Sequence, residues 1–377
     1  MAESVTLQGL FTRYLADYTQ QHPLDARRRQ VCHHISDCRT ATLGGLQLHC
    51  DHCGDDPIHY FSCRDRHCPQ CQQRASQQWS EKQQQHLITT TYFHLVFTLP
   101  EGINGWVQLH PEVIYRLLFR SVWKTLKAFG ADPKRLGGEL GMVAILHTWG
   151  QSLIQHVHLH CLVPGGVLTG AGDWQAARSN YLFPVRALSR RYRGCLVSLL
   201  REAYVAGELP RVNAPGEPTI TLDRLMQQEW VVYSRPGLSE PKQVLDYLAR
   251  YTHRTAISNP RLLSMTDGVI RFRYKDYRDH DRMKVMALQV EEFIRRFLLH
   301  VLPKGLMRIR YYGFLANSCR TRKLSQIRTA LATPDAAPDK AEQKEAPALF
   351  DGYLCSKCRQ GMLRPIAELS PLRWEGG

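Results

Sequence analysis

The chain has 377 residues, 44% hydrophobic and 9% aromatic, which is enough for more than one packed core, and it holds no apolar run of about 18 residues that could cross a bilayer. Forty-nine Lys and Arg against 34 Asp and Glu give a formal charge of +15, which points to a polyanion such as nucleic acid, with a basic soluble enzyme as the alternative. Twelve cysteines behind an N-terminus without signal-peptide character predict a cytoplasmic protein whose thiols meet metal rather than disulfides.

Helical periodicity around residues 5–18, 24–35 and 72–87 flanks a cysteine-rich segment. Cys50-Asp51-His52-Cys53 and Cys68-Pro69-Gln70-Cys71 are two C-x-x-C knuckles with 14 residues between them, the spacing of a zinc ribbon. Cys50, Cys53, Cys68 and Cys71 are therefore expected to hold one closed, structural Zn²⁺. His34, Cys38, Cys63 and His67 are left over and would furnish a second four-ligand zinc site. Arg64, Arg66, Arg74 and Lys82 read either as phosphate contacts or as a solvated face. Together these predict a helical zinc-binding, DNA-recognition domain over residues 1–88.

After residue 88 the pattern changes. Strands are predicted at 92–99, 141–149, 156–163 and 230–233, with helices at 111–129 and 185–204. The order strand, helix, strand, strand, helix, strand is that of a split βαβ, or ferredoxin-like, sheet, so the fold class is α+β. The third strand carries His156-Val157-His158-Leu159-His160, which puts the imidazoles on one face. With 17 histidines in the chain a His-x-His is expected about once by chance, so spacing alone fits a hydrogen-bonded face as readily as a metal site. The central place that this topology predicts for the strand gives its polar face a need for partners or a metal.

A helix is predicted over 241–257. It sets Tyr247 and Tyr251 at i and i+4 on one face, with Arg250 and Arg254 each three residues after a tyrosine, in reach of a phosphate beside the hydroxyl. Tyr14-Leu15-Ala16-Asp17-Tyr18 nearly repeats this motif without a histidine strand nearby, so the tyrosine spacing is weak by itself. The catalytic segment is placed at 89–262.

A basic C-terminal extension is expected over 263–332. Arg271-Phe272-Arg273-Tyr274-Lys275 and Arg308-Ile309-Arg310-Tyr311-Tyr312 interleave cations with rings, as a nucleic-acid surface or a plain basic strand would, and 291–300 reads as a helix. Residues 333–349, rich in Ala, Pro, Lys and Glu, predict a flexible linker. The tail 350–377 carries a lone knuckle, Cys355 and Cys358. It is half a zinc site, expected to be a free pair unless another segment or subunit completes it.

Cys63 to Cys71, Val96 to Pro100, Leu146 to Gln151, His158 to Gly166, Tyr247 to Asn259 and the stretch from Arg296 to Phe314 occur in the order found in the insertion sequence 91 family of HUH-type, two-tyrosine transposases, which the chain resembles over most of its length. The resemblance implies a metal-dependent single-strand DNA endonuclease and strand transferase. In it, His158 and His160 hold Mg²⁺ or Mn²⁺, Tyr247 and Tyr251 are the nucleophiles, and a 5′-phosphotyrosine intermediate drives rolling-circle transposition. His156 becomes a neighbour, since three same-face strand positions span about 13 Å, too far for one ion. Gln243 and His147 are the candidates for a third ligand. The implied partners are single-stranded or hairpin DNA at the element ends and target DNA, with self-association allowed and no membrane. A plasmid replication initiator or relaxase shares this chemistry, and a non-catalytic zinc-dependent regulator is the reading of a different class.

Overall fold

The computed structural model describes residues 5–178, 181–213, 216–238, 243–244, 255–277, 279–331 and 352–372. They divide into two compact units, one drawn from Met1–Ala75, Ile257–Phe293 and Ala337–Gly377, the other from Ser76–Ala256 and Ile294–Ala336. No helix among the described residues is long and apolar enough to cross a membrane. Elements are numbered along the chain.

The first unit opens with α1 (Leu7–Gln21) and α2 (Ala26–Ser36). The Thr6 hydroxyl accepts from the Gly9 amide and the Asp25 carboxylate from the Arg28 amide, each meeting one of the orphan donors of a helix start. Leu7, Leu10, Phe11, Val31 and Ile35 are their buried stripes. β1 (Gly45–Cys50) then pairs with β2 (Ile58–Tyr60), and α3 (Pro69–Gln84) starts inside the Cys68–Cys71 knuckle. A three-stranded sheet of β9 (Leu262–Thr266), β10 (Val269–Asp276) and β11 (Arg282–Gln289) follows much later in the chain. In it Phe272 is buried against Phe293, while Arg271 and Arg273 are exposed. The C-terminal β13 (Tyr353–Leu354) and β14 (Met362–Leu369) extend the first sheet to the order β13-β14-β1-β2, with Cys50 opposite Leu363.

The second unit is built on a five-stranded antiparallel sheet. β3 (Tyr92–Thr98) leads through the short α4 (Asn104–Leu109) and the long α5 (Pro111–Ala131) into the hairpin of β4 (Gly141–Trp149) and β5 (Gln155–Pro164). A small hairpin, β6 (Gly166–Leu168) with β7 (Trp174–Ala176), precedes α6 (Val185–Val205), α7 (Thr219–Gln227) and β8 (Val232–Leu238). After α8 (Val290–Leu298) comes β12 (Ile309–Gly313), and α9 (Arg320–Ala330) ends the unit. The strand order is β12-β4-β5-β3-β8, so the histidine strand β5 is central.

Strand alternation sorts this sheet's residues onto two faces. Phe93, Leu95 and Phe97 of β3, Met142 and Leu146 of β4, and Val157, Leu159 and Cys161 of β5 point into one core with Ile114, Leu118 and Phe119 of α5 and Leu188, Tyr192 and Leu196 of α6. Each such large apolar side chain contributes roughly 1.5–3 kcal/mol by leaving water, which fixes the register. The opposite face carries the histidines and a second apolar cluster of Tyr92, Val143, Ile145, Leu162 and Val244.

The units are not the consecutive segments expected from the sequence. Residues 257–293 and the tail fold with the N-terminal module, because β14 finds its hydrogen-bonding partner in β1, while β12 pairs with β4 and so takes residues 294–331 into the other unit. The segment 333–349, expected to be a linker, lies outside the described residues.

Candidate metal centre

His158 and His160 sit two residues apart on β5 and share its polar face. His160 lies opposite Val96 of β3 and Ile145 of β4; His158 lies opposite Thr98 and His147. Their Nε2 atoms are 3.1 Å apart. His147 completes a group of three imidazoles whose ligand atoms all lie within 4.8 Å of one another. Its ring is stacked on Trp149 at 4.8 Å between centroids.

Hydrogen bonding selects which nitrogens can act as ligands. His158 Nδ1 is 2.9 Å from the carbonyl oxygen of His156. A carbonyl only accepts, so Nδ1 carries the proton and Nε2 keeps its lone pair in the neutral ring. His160 Nδ1 lies 2.9 Å from Nε2 of His94 on β3, so a proton on that Nδ1 places the lone pair of the neutral His160 ring on Nε2. Burial, reinforced by His156 and His94, pushes the pKa of His158 down to about 3. Burial followed by the Arg235 charge lowers His94 to about 4, and burial lowers His156. Near neutral pH these rings are therefore uncharged donors, the form that binds a cation.

The donor set fits a divalent metal. Two ligands at right angles on an octahedral ion with bonds of about 2.0–2.1 Å stand about 3 Å apart, which is the observed Nε2 separation. Histidine ligands that pass their second ring proton to a carbonyl or another acceptor are the usual supporting arrangement, and His156 and His94 supply it here. Tyr233 and Arg235 of β8 border the site: the Tyr233 ring meets His94 edge-on at 6.5 Å, and Arg235 Nε donates to the Tyr233 hydroxyl at 2.8 Å.

Of the two candidate third ligands, the structure brings His147 beside the pair, whereas Gln243 is exposed. Tyr247, Arg250, Tyr251 and Arg254 lie outside the described residues. His94, Tyr233 and Arg235 escaped sequence reasoning. His94 is a single histidine in an apolar strand, and only the register that pairs Val96 with His160 reveals it. Of the two readings of Arg308 to Tyr312, the contacts here are those of a sheet strand whose side chains pack. Arg308 is buried, Arg310 lies 4.1 Å over Phe119, Tyr311 accepts from Trp79 Nε1 at 3.2 Å and Tyr312 stacks on Trp123 at 5.2 Å, because this segment is a sheet strand.

The cysteines group differently from the expected ribbon. Cys68 and Cys71 meet Cys38 and Cys63, and Cys50 and Cys53 meet Cys355 and Cys358. In the first group Cys71 Sγ is 3.6 Å from both Cys38 Sγ and Cys63 Sγ, close to the ~3.8 Å edge of a zinc tetrahedron with Zn–S bonds of about 2.3 Å. The histidines assigned to a second zinc site have another task. His67 Nδ1 lies 2.7 Å from one oxygen of Asp65 and His34 Nδ1 lies 3.0 Å from the other. These rings hold Asp65 well below the usual carboxylate range against the opposing effect of burial, with Arg27 nearby at 4.0 Å. Of the basic residues of this module, Arg64, Arg74 and Lys82 are exposed and Arg66 is half-buried.

Comparison with known proteins follows these two regions. The family described as "Transposase zinc-binding domain" matches residues 10–99, and the family described as "Putative transposase" matches residues 141–323. A protein named "Putative transposase y4qJ" from Sinorhizobium fredii (strain NBRC 101917 / NGR234) is 46% identical over 375 residues, covering 95% of this chain and 94% of that protein. The transposase for insertion sequence element IS801 from Pseudomonas savastanoi pv. phaseolicola is 29% identical over 353 residues, 88% of this chain and 81% of the relative. No solved structure matches the chain significantly.

Proposed function

Since the chain belongs to the insertion sequence 91 family of transposases, with a structural zinc-binding domain at its N-terminus, we propose that it nicks and rejoins single-stranded DNA at the ends of its element through a covalent tyrosine–DNA intermediate. The observation that carries this is the convergence of His158 Nε2 and His160 Nε2, with His147 opposite, on the central strand of an antiparallel sheet. The strand order β8-β3-β5-β4, with α5 and α6 covering the other face, supports a ferredoxin-like HUH domain.

The oxygen of Tyr247 or Tyr251 attacks a backbone phosphorus. The bond from phosphorus to the 3′ oxygen breaks, the 3′ oxygen takes up a proton and departs as a hydroxyl, and the 5′ phosphate remains on the tyrosine. Phosphodiester energy is kept in that linkage, so a later 3′ hydroxyl reverses the step without ATP. Mg²⁺ or Mn²⁺ on His158, His160 and His147 would polarise the non-bridging oxygens and stabilise the charge that develops on them. The chain's own part is to keep His158 neutral and oriented, to bury the three imidazoles, and to present Tyr233 and Arg235 at the rim, where a guanidinium can bind phosphate. Arg250 and Arg254 are assigned the same phosphate-binding task.

Val244, three residues before Tyr247, is buried in the apolar cluster on the histidine-bearing face, which supports a tyrosine segment that begins on that face. Two tyrosines permit one to hold the cleaved 5′ end while the other attacks the next phosphate, as a cycle of strand transfers at element ends and target requires. The substrate is single-stranded or hairpin DNA, whose exposed backbone can reach a site that a duplex cannot enter. The transposase relatives favour this over a replication initiator, a relaxase or a non-catalytic regulator. The test is cleavage of labelled single-stranded oligonucleotides carrying the element ends, with Mg²⁺ or Mn²⁺ and with EDTA. Metal-dependent nicking is expected, and sequence-specific binding without any nicking would leave only the regulator.

A further inference from the structure

Cys355 and Cys358 fall outside both matched family segments, yet they complete a second four-thiol group with Cys50 and Cys53. Cys50 Sγ is 3.7 Å from Cys358 Sγ, and Cys53 Sγ is 3.8 Å from Cys355 Sγ. A disulfide would bring such sulfurs to about 2.05 Å, whereas the edge of a zinc tetrathiolate measures about 3.8 Å.

The backbones are shaped for the same purpose. The amide of Gly54 donates to the carbonyl of Cys50 at 3.1 Å, and the amide of Arg359 donates to the carbonyl of Cys355 at 2.9 Å, so the two knuckles make the same turn. Each turn is followed by a left-handed residue, Gly54 with φ 68° and Arg359 with φ 56°. The amide of Gly361 donates to Cys358 Sγ at 3.4 Å. A Cβ on Gly361 would come within 2.6 Å of Cys50 Sγ and 2.5 Å of the Cβ of His52, so the knuckles approach as closely as they do only because residue 361 has no side chain. Cys50 and Cys355 are buried with Leu48 and Leu363. Around them Asp51 Oδ1 accepts from the Met362 amide at 2.8 Å and Lys357 Nζ pairs with Asp55 at 2.7 Å.

We propose that Cys50, Cys53, Cys355 and Cys358 bind a second structural Zn²⁺ that clasps the C-terminal strands β13 and β14 onto β1. Binding displaces the thiol protons and involves no change of oxidation state. Because the two halves of the site are about 300 residues apart in sequence, it cannot close until nearly the whole chain has been synthesised. The sheet around β1 is then finished last, and a chain truncated before residue 355 keeps one zinc site and loses the other. This is independent of the DNA chemistry proposed above.

The experiment is zinc stoichiometry on the untagged full-length protein, purified with reductant, for the wild type and the Cys355→Ser, Cys358→Ser double variant. The expected result is two zinc ions per wild-type chain, one for each four-cysteine group, and one for the variant. Native alkylation of the wild type with peptide mapping provides the second reading, needed if the variant fails to fold. Cys50, Cys53, Cys355 and Cys358 should be protected together and become reactive together as a chelator is raised. One zinc per wild-type chain with Cys355 and Cys358 freely alkylated would overturn the proposal. So would a Cys50–Cys358 disulfide, or a double variant that still holds two ions.

Discussion

His158 gives its Nδ1 proton to the carbonyl oxygen of His156 at 2.9 Å, and this bond decides that Nε2 is the nitrogen His158 turns toward His160. A strand carbonyl on the same segment thus sets the tautomer of a candidate metal ligand. The pair can be broken in two ways, by removing a ligand or by removing what orients it.

Removing a ligand is the harsher change. His158→Ala or His160→Ala should lower DNA nicking by more than about 100-fold while leaving binding of the same oligonucleotide within a few-fold, because the lost group stabilises charge rather than holding the strand. Single-turnover cleavage beside a gel-shift titration reads both quantities.

Removing an orienting group is milder. His94→Ala deletes the partner of His160 Nδ1, so the apparent affinity for Mn²⁺ should fall by roughly 10- to 100-fold, with nicking restored as Mn²⁺ is raised. Rescue by metal distinguishes this role from that of a ligand; a metal titration of the cleavage rate measures it.

The zinc module makes the opposite separation. His34→Ala and His67→Ala should keep their full zinc content, since both rings are bound to Asp65, while Cys38→Ser or Cys63→Ser should lose one ion. Metal analysis of the four purified variants tests the regrouping of the cysteines.

Stability should depend on pH through the buried imidazoles. The folded-state pKa values of His94, about 4, and His158, about 3, lie below the ordinary value of 6.5, so the unfolded chain binds protons that the folded chain refuses. Their contribution is complete above about pH 6.5 and is lost as pH falls toward the folded values, at about 1.4 kcal/mol per pH unit for each group. Thermal unfolding without added Mg²⁺ or Mn²⁺ should therefore shift to lower temperature between pH 6.5 and 4, and His94→Gln should flatten that slope.

The periodicity that alternates strand and helix from Tyr92 to Leu238 was readable in the sequence because apolar burial on one sheet face dictates it, and the polar face carrying His158 and His160 came with it. Knuckle partners were not readable. C-x-x-C spacing specifies a local turn and says nothing of which second turn shares the ion, so Cys50 and Cys53 looked like partners of Cys68 and Cys71 rather than of cysteines at the far end of the chain. The rings of Tyr311 and Tyr312 had the composition of a nucleic-acid surface, and only pairing of β12 with β4 shows them as packing groups.

The central claim rests on a covalent bond between tyrosine and DNA, and its most direct measurement is the site of that bond. Single-stranded end DNA incubated with the protein and Mn²⁺, then denatured, proteolysed and mapped by mass spectrometry, should yield a nucleotide-modified peptide at Tyr247 or Tyr251. None should form in EDTA or in the Tyr247→Phe, Tyr251→Phe variant. Adducts on another residue, or undiminished adducts in the double variant, would contradict it.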